Sequence, residues 1–193
     1  MEILEIKDLE ILAKKRVPKM FFDYVNSGSW TETTYNENVS DFQKIKLRQR
    51  VAIDMSNRTL ETKMINQPVS MPVAIAPTGL TGMQRADGEI LAAQAAEEFG
   101  IPYTLSTMSV CSIEAVAEKT KKPFWFQLYV MKDKKFMERL IDRAKEAKCS
   151  ALVLTLDLQL LGQRHKDLRN GLSTPPKLIP KHIYQVLTRP MWC

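Results

Sequence analysis

Four apolar runs of strand length, repeating at a near-constant interval, constrain this chain more than any other feature. They begin at Val73 (VAIAP), Ile101 (IPYTLS), Phe124 (FWFQLY) and Ala151 (ALVLTLD), so their starts fall 23 to 28 residues apart. That interval suits a strand plus a helix with its turns. Each run is continuously apolar rather than alternating, the pattern of parallel strands covered on both faces. The segments between them have helical spacing. Asp87 is placed to cap a helix through Ile90, Leu91, Ala95 and Phe99 that stops at Gly100. Ser112 is placed to cap IEAVAEK, with Glu114 in its first turn. Asp133 is placed to cap a third helix whose apolar stripe is Phe136, Met137, Leu140, Ile141 and Ala144. Strand followed by helix, four strands deep, predicts an α/β fold with parallel strands.

A helical lead-in precedes the repeat. Pro18 suits the first turn of a helix PKMFFDYVNSG that stops at Gly28, and a further helix from Thr33 to Phe42 places Tyr35, Val39 and Phe42 on one face. Residues Leu47 to Ser70 read as irregular or short antiparallel structure. The expected organisation is a lead-in over 1–70, repeat units over 71–162 and a basic loop and helix over 163–193. With 193 residues and 45% hydrophobic side chains, the chain has enough apolar material for a core. Seven Gly, 10 Pro and 3 Cys exclude collagen-like, disulfide-scaffold and disordered readings. Cys111, Cys149 and Cys193 have no CxxC partner, which predicts reduced thiols, no metal site and a cytosolic setting.

The first residues, MEILEIKDLEILAKK, carry acids where a secretory leader carries bases. The uncharged stretch from Ile65 to Gln84 is interrupted by Pro68, Pro72 and Pro77, which argues against a membrane-spanning helix. The net charge of +6 is uneven. From Gln163 onward there are six bases (Arg164, Lys166, Arg169, Lys177, Lys181, Arg189) and one acid, Asp167. Together with Ile183, Tyr184, Val186, Leu187 and Trp192, this segment reads either as a face for an anionic membrane surface or as a solvated loop and helix. The near-neutral body and the lack of any nucleic-acid motif speak against a basic RNA or DNA binder, the weakest of the competing readings.

Each apolar run ends in polar groups: Ala76-Pro77-Thr78-Gly79, Ser106-Thr107, Gln127-Leu128-Tyr129 and Thr155-Leu156-Asp157. Polar side chains at the carboxyl ends of successive parallel strands converge on one face of a barrel, where such enzymes hold their sites. Taken singly, Tyr24 reads as a half-buried aromatic, Arg164 as one charge of the basic segment, Thr155 as a strand former and Asp157 as a turn cap.

IAPTG, LST, WFQLY and TLD followed by Gly162-Gln163-Arg164, together with KKRVPKMFFDYVNSGSWTETTYNEN, resemble the FMN-dependent α-hydroxy-acid dehydrogenases and oxidases. The resemblance covers essentially the whole chain, with five motifs agreeing in order and spacing. SVCSIE, RAKEAKCSALV and TRPMW are most similar to the respiratory L-lactate dehydrogenases of that family. It implies the first half of a (β/α)8 TIM barrel, about four βα units, behind a helical lead-in. It implies FMN lined by the backbone of Pro77, Thr78 and Gly79 and hydrogen-bonded by Ser106, Gln127 and Thr155. Tyr24 and Arg164 would hold a substrate carboxylate, since a guanidinium fork suits that shape. Tyr129 would contact the oxygen on the reacting carbon, and Asp157 would orient a catalytic histidine.

A complete barrel takes about 250 residues, whereas 121 run from Val73 to Cys193. The family's lysine near the flavin, its His-Gly-Gly-Arg motif with the base and second arginine, and its phosphate site are not in this sequence. His165 and His182 match none of them. The resemblance therefore implies oxidation of a 2-hydroxy acid, L-lactate favoured and mandelate- or glycolate-type acids the alternative, with electrons passing to a quinone, a cytochrome or oxygen. Gly79 and Met108 would leave a roomy, adaptable substrate pocket. The completed enzyme is expected to be a homo-oligomer, cytoplasmic or peripheral on the inner face of the cell membrane. The isolated chain is expected to aggregate or to need a partner and to bind FMN weakly, and the competing expectation is a non-catalytic half-barrel with no activity of its own.

Overall fold

In the computed structural model, residues 2–158, 160–173, 177 and 179–192 are described, so Cys193 lies outside the described residues. The chain divides into two compact units, residues 56–159 and residues 1–55 with 160–193.

The 56–159 unit opens with a hairpin of β1 (Thr62–Met64) and β2 (Gln67–Val69), paired antiparallel in the segment expected to be short antiparallel structure. A parallel sheet follows, in the order β3 (Thr104–Ser106), β4 (Trp125–Tyr129), β5 (Ala151–Thr155). Helices α4 (Gly88–Phe99), α5 (Ile113–Lys119) and α6 (Lys134–Glu146) alternate with these strands. Their inner residues Ala93, Ala96, Ile113, Val116, Leu140 and Ala144 form one core with Leu105, Phe126 and Leu128 of the sheet. The alternation of strand and helix is thus an α/β layer; α4 turns Ala93 and Ala96 onto the sheet, whereas Leu91, Ala95 and Phe99 of its expected apolar run are exposed, as is Phe136 of the α6 stripe.

Two expected capping side chains form as anticipated. Ser112 Oγ accepts from the Ala115 N–H at 3.1 Å, and Asp133 Oδ1 accepts from the Phe136 N–H at 3.0 Å. Gly100 ends α4 with φ of 81°, a left-handed conformation that suits glycine. Asp87 is a correction. It occupies the cap position of α4, but at φ of 56° its side chain makes no capping bond. The entry turn is instead closed through the backbone, Gly88 N–H to Arg85 O at 2.9 Å.

The run beginning at Val73 does not form an extended strand. Only Ile75 bridges to Tyr103, through Ile75 N–H to Pro102 O at 2.8 Å and Thr104 N–H to Ile75 O at 3.1 Å. Pro72 and Pro77 remove donors on both sides, so little ladder can propagate. The last run forms β5, but Leu152 and Leu154 are each 49% exposed, so this strand is not covered on both faces. It is the edge of the sheet, and among the described residues no strand pairs with its outer side.

The other unit holds α1 (Ile6–Arg16), α2 (Lys19–Val25), α3 (Thr33–Ser40) continued by a 3₁₀ turn over Asp41–Lys44, α7 (His165–Asn170) and α8 (Pro180–Leu187). Its buried apolar residues include Val17, Met20, Phe21 and Phe22. Phe21 stacks on Trp192 at 5.4 Å between ring centroids, and Gln185 accepts from the Met20 N–H at 2.8 Å. Helix α2 ends at Asn26 rather than at Gly28. Gly28 serves clearance instead, since a Cβ there would meet Tyr35 Cβ at 2.7 Å. The expected apolar face of α3 is not buried: Val39 and Phe42 are exposed, and Tyr35 alone engages, donating to Asn26 Oδ1 at 2.6 Å. Among the described residues, no helix is long and apolar enough to cross a membrane.

Candidate functional site

Neighbouring parallel strands in register place residues of equal depth side by side, and residues two apart share a face. Ser106 of β3 lies opposite Gln127 of β4, and Tyr129 of β4 lies opposite Thr155 of β5. The Gln127 amide spans these positions. Its Oε1 accepts from Ser106 Oγ at 3.3 Å and from the Thr107 N–H at 3.2 Å, and its Nε2 donates to Thr155 Oγ1 at 2.7 Å. Three strands are thereby tied into one polar row at their carboxyl ends. Gln127 and Ser106 are buried, at 1% and 2% exposure. A buried amide is tolerated because this row satisfies it.

Thr107, named as a strand-end polar group but given no role by the sequence, braces this row. Its hydroxyl donates to the Gln127 carbonyl and accepts from the Tyr129 N–H, extending the β3–β4 link past the end of the ladder. The only sequence signal was its place beside Ser106. Tyr129 and Thr155 line a cavity of about 260 Å³ with Val130, Leu156 and Leu158.

The loop after Ile75 adjoins this row through β3. Leu80 N–H donates to Met108 O at 2.9 Å, joining the two strand-end loops. Pro77 and Thr78 are exposed and Gly79 is half-buried, so their backbone is accessible. Glu89 of α4, fully buried, braces the same loops and was also missed. Its Oε1 accepts from the Val110 N–H at 2.9 Å. Burial raises its proton affinity, but the N–H groups of Val110 and Gly82 outweigh burial and hold the carboxyl below its ordinary value. Asp157 lies exposed two residues past β5. Cys111 and Cys149 are free, half-buried thiols pushed up to about 11 by burial, so they are protonated and poorly nucleophilic at neutral pH.

In the other unit, Arg164 and Tyr24 come together across 140 residues of sequence. The guanidinium carbon lies 4.8 Å from the centre of the Tyr24 ring. Nη2 donates to the Tyr24 carbonyl and to Ser27 Oγ, the latter at 2.9 Å, and Nε lies 2.7 Å from Asp167 Oδ2. The preceding residue is anchored as well, with Trp30 N–H donating to Gln163 O at 2.9 Å. His165 meets the edge of Trp30. His182 is fully buried, its two ring nitrogens at 2.7 Å from Lys177 O and 2.8 Å from Asn170 O, which is a structural role rather than an accessible base.

The donor set of the strand-end row fits a flavin ring. An amide carrying both donor and acceptor, flanked by two hydroxyls, complements the mixed carbonyl and N–H edge of an isoalloxazine. The residues that would hold FMN are Ser106, Gln127 and Thr155, with the accessible backbone of Pro77, Thr78 and Gly79. Among the described residues no group of three His, Cys, Asp or Glu side chains is arranged to bind a metal ion.

Residues 13–193 match the model of the family described as FMN-dependent dehydrogenase. The L-lactate dehydrogenase of Acinetobacter baylyi is 46% identical over 192 residues, covering 100% of this chain and 50% of that protein. The L-lactate dehydrogenase of Acinetobacter baumannii is 47% identical over 185 residues, covering 96% and 48%. Among solved structures, the monotopic membrane protein (S)-mandelate dehydrogenase superposes with a TM-score of 0.92 at 33% identity, covering 100% of this chain and 51% of that one. A putative lactate oxidase of Pediococcus acidilactici superposes with a TM-score of 0.85 at 29% identity, covering 97% and 52%. The chain spans about half the length of the curated relatives it matches.

Proposed function

The chain belongs to the FMN-dependent dehydrogenase family, and from that premise we propose that it forms the front half of a barrel of four βα units that oxidises L-lactate to the 2-keto acid. The observation that carries this reading is the hydrogen-bonded row of Ser106, Gln127 and Thr155 across three strand ends. Lactate is favoured over mandelate because the relatives at 46% and 47% identity are named L-lactate dehydrogenases, whereas the mandelate dehydrogenase structure stands at 33%.

Conversion of a 2-hydroxy acid to a 2-keto acid releases two electrons and two protons, and FMN supplies the two-electron acceptor when bound. The protein residues bind and orient. Gln127, Ser106 and Thr155 would hold the polar edge of the ring, with the accessible backbone of Pro77, Thr78 and Gly79 beside them. Arg164, stacked on Tyr24, holds the substrate carboxylate, and a fixed carboxylate fixes the reacting carbon two bonds away. Tyr129 contacts the oxygen on that carbon. Asp157 orients the imidazole base, which belongs to the half of the relatives that this chain does not span, as does the phosphate anchor.

The electron acceptor on this reading would be a quinone or cytochrome. Exposed Ile183, Tyr184 and Leu187 on α8, with Lys181, support docking of the basic segment on an anionic membrane surface. A non-catalytic half-barrel is the second reading, favoured by the open edge and exposed Leu152 and Leu154 of β5. Mixing this chain with the C-terminal half of the Acinetobacter baylyi relative and FMN separates the two. Reduction of an acceptor dye by L-lactate, faster than by mandelate, is the expected result. Failure of every 2-hydroxy acid in a co-eluting pair would leave the half-barrel reading.

A further inference from the structure

Resting on the reading of Arg164 as the group that holds the carboxylate, we propose that Asp167 is its positioning residue. A guanidinium has five N–H donors in a rigid fork, and its usefulness for a carboxylate depends on which edge the protein leaves for it. Here the chain itself engages two of the three nitrogens. Nε faces Asp167 Oδ2 at 2.7 Å, and Nη2 donates to the Tyr24 carbonyl and to Ser27 Oγ. Nη1 makes none of these bonds and remains for an incoming carboxylate.

Of these contacts, Asp167 supplies the only charge. Its side chain is 16% exposed against 31% for Arg164, so the pair sits where water screens it only partly. Tyr24 holds the guanidinium plane from the ring side at 4.8 Å, and Ser27 holds one tip at 2.9 Å. Both act on the ring side and the Nη2 tip, and the Tyr24 carbonyl holds that same tip, whereas the ion faces the Nε edge and is the charged hold on it. Arg164 precedes α7 and Asp167 lies in its first turn, so the helix backbone fixes the spacing between them. Without the Asp167 charge, a substrate carboxylate would meet a fork held only by the ring and by neutral acceptors at one tip. The competing role for Asp167 is that of an ordinary first-turn acid favoured by the helix dipole, with no bearing on Arg164.

Nitrogen-resolved NMR of the ¹⁵N-labelled 193-residue chain tests this through the Arg164 Nε–H signal, identified by its loss in Arg164→Lys. In Asp167→Asn that hydrogen exchanges with water roughly tenfold faster, because the carboxylate that faces the buried Nε at 2.7 Å is lost. Asp167→Glu restores part of the protection. Unchanged exchange in a folded Asp167→Asn chain, as a pure first-turn acid would give, overturns the proposal. If Asp167→Asn does not fold, the converse is read in Arg164→Gln. There the Asp167 carboxyl carbon titrates at higher pH than in the unaltered chain, and an unaltered titration overturns the proposal. Adding L-lactate to the unaltered chain tests the underlying reading separately. An Arg164 signal that depends on Asp167 but ignores lactate leaves the positioning role standing and removes the carboxylate role; the reverse pattern does the opposite.

Discussion

The row of Ser106, Gln127 and Thr155 and the stack of Arg164 on Tyr24 satisfy their polar groups in different ways. The row is built from adjacent strands, and its partners are neutral amide and hydroxyl groups aligned by the register of β3, β4 and β5. The stack joins residues 140 apart, and it balances a cation with one carboxylate, one ring and one hydroxyl. The first arrangement comes with the sheet. The second depends on a few charged contacts at partly exposed positions, so it should be easier to disturb by charge, salt or pH.

Gln127→Leu breaks the row most severely. It strands Ser106 Oγ, the Thr107 N–H and Thr155 Oγ1 in a buried setting, and the 56–159 unit should lose about 3 kcal/mol in urea unfolding. Arg164→Met should cost the other unit about 2 kcal/mol by leaving Asp167 without its counter-charge, less than a fully buried pair because both side chains are partly exposed. Hydrogen exchange resolved by unit checks that each change stays where it is made. Asp133→Ala, which deletes the α6 cap, should cost about 1 kcal/mol and show as faster exchange at the start of that helix.

The smallest effects are electrostatic and of opposite sign in the two units. Arg143→Ala should change stability by no more than about 0.5 kcal/mol, because its pair with Glu114 is exposed. Its side-chain hydrogen bonds with Arg143 bring the Glu114 carboxyl from an ordinary 4.5 to about 2. Glu114 therefore favours the folded state above pH 4.5, and that support fades as pH falls from there to about 2. Asp167 is the reverse: burial raises its carboxyl, so the folded state gains relative stability as acid protonates it. Exchange measured between pH 5 and pH 3 should rise around the α5–α6 contact and not around α7. A parallel rise in both would break the distinction.

Most of the scaffold was legible because periodicity and capping are local. The helices between strands, the stop at Gly100 and the caps at Ser112 and Asp133 follow from neighbouring residues. What escaped depends on non-local facts. Helix α1 was missed because none of its residues is buried and no apolar face stands out. The run at Val73 looks like a strand but lies between two prolines with a partner on one side only. Asp87 has a capping side chain on a backbone turned left-handed, which composition does not reveal. The candidate site residues stand out in the sequence as strand-end polar groups sharpened by family motifs. The bracing roles of Thr107, Glu89 and Asp167 became visible only through their contacts, although Thr107 stands in the LST motif.

The most direct test of the central claim is flavin retention by the row itself. The chain, unaltered or carrying Gln127→Leu, is combined with the C-terminal half of the Acinetobacter baylyi relative and excess FMN, and the protein peak from gel filtration is read for flavin absorbance. The unaltered pair should carry close to one flavin per complex, and the Gln127→Leu pair, folded and co-eluting, should carry little. Equal flavin in both would contradict a flavin held at the strand ends by Ser106, Gln127 and Thr155.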